Sequence, residues 1–223
     1  MEKELCDFLG VAHSINVANG TDAIAIGLRS LGVVPGSEVV TVANAGFYAS
    51  AAILSLGARP VYCDVEPETL LMSAATLQEA LEKSGREPSA IVVTHLYGAL
   101  APMGQIMQIA ASRGIPVLED GAQAFGSWRR DGAARIQAHV ATTSFYPTKN
   151  LAALGDAGAI FTESSETARV ARRLRQYGWS DKYQVQLSEG RNSRMDEIQA
   201  AIIRLRLRDL ENQIAARRRI HSS

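Results

Sequence analysis

Along most of the chain two hydrophobic periodicities take turns. Short runs rich in β-branched and apolar residues occupy positions 14–18, 38–42, 60–65, 90–94, 116–119, 140–145 and 157–162, and read as strands. Between the earlier ones, residues 22–31, 49–56, 75–83 and 104–111 carry the spacing of amphipathic helices and end on Gly or Pro. This β-α-β-α rhythm predicts a three-layer α/β/α domain around a mostly parallel seven-stranded sheet. The last strands follow one another with less helix between them, so the sheet is expected to be partly mixed there. After residue 163 the pattern turns helical, first over 166–176 and then from 196 to about 217. In that final helix Ile198, Ile202, Leu205 and Leu210 form an apolar stripe that leads into a basic end.

Composition narrows the partners. With 47% hydrophobic and 21% charged residues in 223, the chain can bury one sizeable core. Its formal net charge of +0 supplies no field to attract nucleic acid or an anionic membrane, so a small molecule or another protein is the expected partner. The two cysteines, Cys6 and Cys63, have no Cys or His at metal-ligand spacing, which predicts neither a metal site nor a disulfide framework. No run approaches the roughly twenty apolar residues of a membrane helix, and the first residues are charged where a secretion signal is apolar. A soluble, cytoplasmic protein is expected.

In an open parallel sheet, ligands sit beyond the carboxyl ends of the strands. Three such positions carry polar groups. Asn19-Gly20-Thr21-Asp22 joins a strand to a helix; Gly20 lets backbone approach closely, and free N–H groups with the Thr21 hydroxyl suit a phosphate. The alternative is that Thr21 or Asp22 simply caps the helix. At Glu119-Asp120-Gly121-Ala122-Gln123-Ala124 a buried strand ends in acids. Asp120 there suits a protonated ring nitrogen and Gln123 a ring hydroxyl, while a solvated strand end or a magnesium ligand remain alternatives.

The third position is Ser144-Phe145-Tyr146-Pro147-Thr148-Lys149-Asn150. The chain has four lysines, Lys3, Lys83, Lys149 and Lys182, against nineteen arginines, so a lysine just past a buried strand stands out. A Schiff base needs a primary amine whose proton can be removed, which a guanidinium cannot supply. Ser144 is placed to reach a phosphate. His95, also after a strand, is read as structural.

Together with Asn192-Ser193-Arg194-Met195-Asp196-Glu197-Ile198-Gln199-Ala200-Ala201, these motifs resemble the DegT/DnrJ/EryC1/StrS sugar aminotransferases, which are pyridoxal 5'-phosphate (PLP) enzymes of fold type I. The resemblance runs from end to end. It implies that residues 1–195 form the PLP-binding large domain and that 196–223 lead towards a small C-terminal domain that is absent. It further implies Lys149 as Schiff-base lysine and proton carrier, Asp120 at the pyridine nitrogen, and Gln123 at the ring oxygen. Gly20, Thr21 and Ser144 would hold the phosphate, with Phe47 or Tyr48 stacked on the ring. Asn192 would reach the phosphate of a neighbouring subunit, hence a homodimer.

The family implies amino transfer from L-glutamate to a keto group of a nucleotide-linked deoxysugar. The stretches around Leu174 to Tyr183 and Gly190 to Arg194 lean towards C3 of a dTDP-3-keto-6-deoxyhexose. Lysine at 149, where related dehydratases carry histidine, favours transamination. The chain departs from the family in its length at both ends and at Gln137-Ala138-His139. An inactive homologue serving as a binding or regulatory module is therefore the alternative.

Overall fold

The computed structural model describes residues 1–130, 133–134 and 136–221. Its elements, in chain order, are α1 (Glu2–Leu9), β1 (His13–Val17), α2 (Gly20–Ser30), β2 (Glu38–Val42), α3 (Tyr48–Ser55), β3 (Arg59–Cys63), α4 (Ala74–Lys83), β4 (Ala90–Thr94), α5 (Met103–Ser112) and β5 (Val117–Asp120). A 3-10 turn (Phe125–Trp128) leads into a small hairpin, β6 (Arg129–Arg130) and β7 (Ala133–Ala134), followed by β8 (Val140–Ser144), β9 (Gly158–Thr162) and α6 (Ser165–Leu174). A second hairpin, β10 (Trp179–Asp181) and β11 (Gln184–Val185), precedes α7 (Glu197–Leu207) and α8 (Leu210–His221).

The main sheet has seven strands in the order β1-β9-β8-β5-β4-β2-β3. From β8 to β3 every neighbouring pair is parallel, whereas β9 runs antiparallel to both β8 and β1. Six strands thus point one way and β9 alone opposes them. The reversal follows from the chain between β8 and β9, which contains no crossover helix and so returns β9 antiparallel beside its predecessor. The expected mixed region is therefore at this end of the sheet.

Alternation along the buried strands divides the core into layers. In β5, Leu118 packs with Ile24, Leu28, Val92 and Val140 beneath α2, while Val117 packs with Leu77, Ile91 and Ile106 beneath α4 and α5. A third cluster joins α1 and the C-terminal helices to the aromatic residues: Leu5, Leu9, Phe125, Trp128, Phe145, Phe161, Ile203 and Leu210 are all buried in it. Among the described residues no helix is long and apolar enough to cross a membrane.

Two local expectations are corrected. The single helix expected from residue 196 to about 217 is two, α7 and α8, with Arg208 and Asp209 between them. The stripe facing the core is Ile203 and Leu210, with Leu207 and Ile214 packed beside them, rather than the row of Ile198 and Leu205, which are 67% and 65% exposed. The helix offers two apolar rows, and sequence spacing does not say which one meets the core. The second correction is α1, absent from the sequence reading. Half of its residues are charged, and it is held by tertiary contacts: Leu5 and Leu9 in the core, Glu2 paired with Arg175, and Glu4 with Arg204.

Candidate active site

The carboxyl ends of β1, β5 and β8 meet around one cavity of about 330 Å³, lined by Asn19, Gly20, Thr21, Ile24, Tyr48, Asp120, Ala122, Ser144, Tyr146, Thr148, Lys149 and Asp156. The backbone explains each wall. At the first, Asn19 is extended and its side chain accepts the Asp22 N–H at 2.8 Å, so Asn19 caps α2. Thr21 and Asp22 are therefore released from the capping role. The N–H groups of Gly20 and Thr21 have no partner among the described residues, and both residues line the cavity at the positive end of the helix. Gly20 is required here by space: a Cβ would lie 2.7 Å from Ser144 Cβ. Gly158 on β9 is bound in the same way, since a Cβ there would stand 2.5 Å from the Asn19 carbonyl oxygen.

Lys149 sits on a turn anchored at both ends. Phe145, fully buried, donates its N–H to the Ala157 carbonyl and accepts from the Ala153 N–H, while Leu151 and Ala153 are buried in the same aromatic cluster. Between these anchors the Lys149 N–H closes the turn on the Tyr146 carbonyl at 2.8 Å, and the Ser144 Oγ accepts the Tyr146 N–H at 3.2 Å. The half-buried Lys149 thus enters the cavity from a fixed backbone.

Asp120 forms the floor. Its Oδ1 accepts the Ala122 N–H at 3.1 Å. Burial pushes the carboxyl above the usual aspartate range, opposed by that N–H and by the charge of Lys149. A cation placed against it would be met by a carboxyl that gains from ionising in its presence.

Behind Asp120, on the other sheet face, Glu119 is fully buried and accepts four hydrogen bonds: from His95 Nε2 and Trp128 Nε1, each at 3.0 Å, and from the Gln137 and Ala138 N–H groups at 2.7 and 2.8 Å. His95 Nδ1 accepts the Ala101 N–H at 3.1 Å, which places the ring proton on Nε2, facing Glu119. His95 is thus structural. A wider cleft of about 550 Å³ beside the start of α5 borders the same pair, but every polar side-chain atom of His95 and Glu119 already has a partner. Glu119→Gln turns an amide NH₂ towards groups that are themselves donors. It is expected to cost about 3–5 kcal/mol, read as a fall in urea midpoint at unchanged slope.

Of the site residues expected from the sequence, Gly20, Thr21, Tyr48, Asp120, Ser144 and Lys149 line the cavity. Phe47, Gln123 and Asn192 do not. Phe47 holds a left-handed backbone (φ 66°) and is 61% exposed, leaving its neighbour Tyr48 on the cavity wall. Gln123 accepts the Tyr97 N–H on its Oε1 at 3.0 Å. Asn192 is exposed, bridges backbone to Gln176 and accepts from Arg194 Nε. Tyr146, Thr148 and Asp156 line the cavity without having been singled out from the sequence; their closeness to Lys149 in the chain was the available signal.

The model of the DegT/DnrJ/EryC1/StrS aminotransferase family matches residues 1–223. The chain is 44% identical to the dTDP-3-amino-3,4,6-trideoxy-alpha-D-glucose transaminase of Micromonospora megalomicea subsp. nigra, over 98% of this chain and 58% of that protein. It is 39% identical to the UDP-2-acetamido-2-deoxy-3-oxo-D-glucuronate aminotransferase of Pseudomonas aeruginosa, over 99% and 60%. Among solved structures, a DegT/DnrJ/EryC1/StrS aminotransferase from Brucella abortus superposes with a TM-score of 0.90 at 37% identity, covering 98% of this chain and 60% of that one. S. venezuelae DesV in complex with a ketimine intermediate gives 0.87 at 36%, covering 95% and 56%. The chain spans less than two thirds of the length of these relatives. The order of its strands, the position of its cavity and these likenesses agree: the chain belongs to the DegT/DnrJ/EryC1/StrS aminotransferase family and has the large-domain fold of type I PLP enzymes.

Proposed function

We propose that this chain is the cofactor-carrying part of a PLP-dependent aminotransferase. Residues 1–195 form the PLP domain and 196–223 lead towards a small C-terminal domain. The observation that carries the reading is convergence on one cavity of a primary amine, Lys149, a buried carboxyl, Asp120, and the unspent N–H groups of Gly20 and Thr21. These three kinds of group match the aldehyde, ring nitrogen and phosphate of PLP. When bound, PLP supplies a cationic ring that takes up the electron pair left by removal of a substrate proton.

The chain's own residues do the rest. Lys149 Nζ holds the cofactor and, once displaced by an amino donor, carries the proton from the donor's Cα and returns it. The Asp120 carboxylate keeps the ring nitrogen protonated. Gln123, whose carbonyl oxygen is spent on Tyr97, keeps its amide N–H groups to donate and would bond the ring oxygen with them. Thr21 and Ser144 add hydroxyls to the phosphate cradle, and Tyr48 rather than Phe47 covers the ring. Asn192, exposed and absent from the lining of its own cavity, reaches the phosphate in a second copy, so the working form is a homodimer. Gly20→Ala closes the cradle against Ser144 and is expected to weaken PLP binding about tenfold, measured by titration of apo protein.

L-Glutamate is the proposed donor and a nucleotide-linked keto-deoxysugar the acceptor. The names of the two relatives, one for a 3-amino sugar and one for a 3-oxo sugar, support C3 as the site of amination, and the first of them supports a dTDP-3-keto-6-deoxyhexose as the sugar. The test is to add PLP, record the visible spectrum, reduce with borohydride and map the labelled peptide. Label on Lys149 is expected, with Lys3, Lys83 and Lys182 clean. No visible band, or label elsewhere, sinks the reading. A band that L-glutamate leaves unchanged points instead to a PLP-binding module without turnover.

A further inference from the structure

Among the described residues, four buried side-chain polar atoms have no hydrogen-bond partner: Ser14 Oγ, Asn16 Oδ1, Thr41 Oγ1 and Thr94 Oγ1. A buried hydroxyl left unpaired costs free energy, so each asks for an explanation. Ser14 and Asn16 lie on β1 and Thr41 on β2, and neither strand pairs with β5. Thr94 is different. It ends β4, and the parallel register sets it directly beside Asp120 (Val92 opposite Leu118, Thr94 opposite Asp120). Residues opposite one another in register share a sheet face, with Cβ atoms about 4.5–5.5 Å apart. Val92 and Leu118 are buried together beneath α2, and two residues on, Thr94 and Asp120 occupy that same face.

The next residue fixes the alignment, since the His95 N–H donates to the Asp120 carbonyl at 3.0 Å. On the other flank of Asp120 the register places Thr142. Its hydroxyl is already directed to the Glu119 carbonyl at 3.3 Å. Of the two hydroxyls beside Asp120, Thr94's alone is uncommitted. The ionisable groups acting on Asp120 are His95, whose ring proton faces Glu119, and Lys149 across the cavity, so neither occupies the Thr94 side of the carboxyl.

We propose that Thr94 is a positioning residue for Asp120: its hydroxyl donates to the Asp120 carboxyl once that group is ionised, as it is when a ring cation sits against it, and so fixes the other oxygen on that cation. This rests on the reading of the cavity as a PLP site. The Ala122 N–H on Oδ1 and the Thr94 hydroxyl would then hold the carboxylate from two directions, leaving a single orientation towards the cavity.

The test uses Thr94→Val and Thr94→Ala, which lack the hydroxyl, and Thr94→Ser, which keeps it. In the chain without PLP, the Asp120 carboxyl is titrated by carbon-13 NMR and thermal unfolding is recorded; with PLP, the dissociation constant is measured. Thr94→Val is expected to unfold no earlier than the parent, because it removes an unpaired buried hydroxyl. It is expected to bind PLP about 10- to 100-fold more weakly, the worth of one hydrogen bond to a charged group, and to ionise Asp120 at higher pH. Thr94→Ser should match the parent in both, and Thr94→Ala should follow Thr94→Val in both. Equal PLP affinity and equal Asp120 titration in parent, Val and Ala variants overturn the proposal. If the parent itself takes up no PLP while the Val variant still shifts the Asp120 titration, the Thr94–Asp120 link stands and the PLP reading falls.

Discussion

Lys149→Ala is expected to abolish borohydride trapping of PLP and to lower amino transfer by at least about 10⁴-fold, since one side chain is asked both to attach the cofactor and to carry the proton. The loss in PLP affinity should be far smaller, because Asp120, Thr21, Ser144 and the Gly20 and Thr21 N–H groups stay in place around the cavity. That split between activity and binding is the signature to look for. Folding should be untouched. The turn is anchored by Phe145 and Leu151, both buried, and by main-chain bonds from Phe145, Lys149 and Ala153, none of which needs the lysine side chain. Lys149→Arg gives the sharper control: it keeps a cation in the half-buried position but has no amine that loses its proton in the working pH range. It should be as inactive as Lys149→Ala. Activity in either variant above about a hundredth of the parent would remove Lys149 from the centre of the mechanism.

The seven strand-like runs all become strands of one sheet, with ends displaced by a residue or two; six are apolar enough to be buried along most of their length, and the edge strand β3, with Arg59 and Tyr62 exposed, is held by its pairing with β2. The site was legible for the same reason: residues just beyond such strands have nowhere to go but the sheet edge, and Gly20, Asp120, Ser144 and Lys149 all stand there. What the sequence left open depended on single dihedrals or distant partners. The choice between Phe47 and Tyr48 turns on the left-handed backbone at Phe47. Thr21 and Asp22 suggested themselves as caps, and only the extended Asn19 shows that the cap comes two residues before Thr21, leaving Thr21 free. The Glu119 network was hidden because its donors come from His95, Trp128, Gln137 and Ala138, brought together by folding. That Glu119 and Asp120, adjacent acids, serve opposite faces follows from strand alternation alone.

Asp120→Asn is expected to reduce amino transfer by about 10³-fold or more, because an amide cannot hold a proton on the ring nitrogen and the cofactor then loses its capacity for the substrate's electron pair. The same substitution should make the chain without PLP more stable. Burial raises the Asp120 carboxyl in the folded state, so the folded chain holds the proton more tightly than the unfolded one. Stability from that proton is therefore fully present below the unfolded carboxyl's range and is lost as pH rises through the raised folded value. Above the unfolded carboxyl's range the parent must either fold holding a proton that the unfolded chain releases or bury a charge, a cost that Asn removes while its side-chain oxygen can still accept the Ala122 N–H. Thermal unfolding without PLP should place Asp120→Asn above the parent at pH 8, by about 2–4 °C for each kcal/mol relieved, with the gap closing as the solution is acidified. With PLP added the order should reverse, since the parent carboxylate is then paired with the ring cation. A gap independent of pH, or a variant less stable than the parent without PLP, would show that the carboxyl carries no such cost. The cost itself is what makes Asp120 fit for its place: a carboxyl poorly solvated in the empty site gains the more from a cation that enters it.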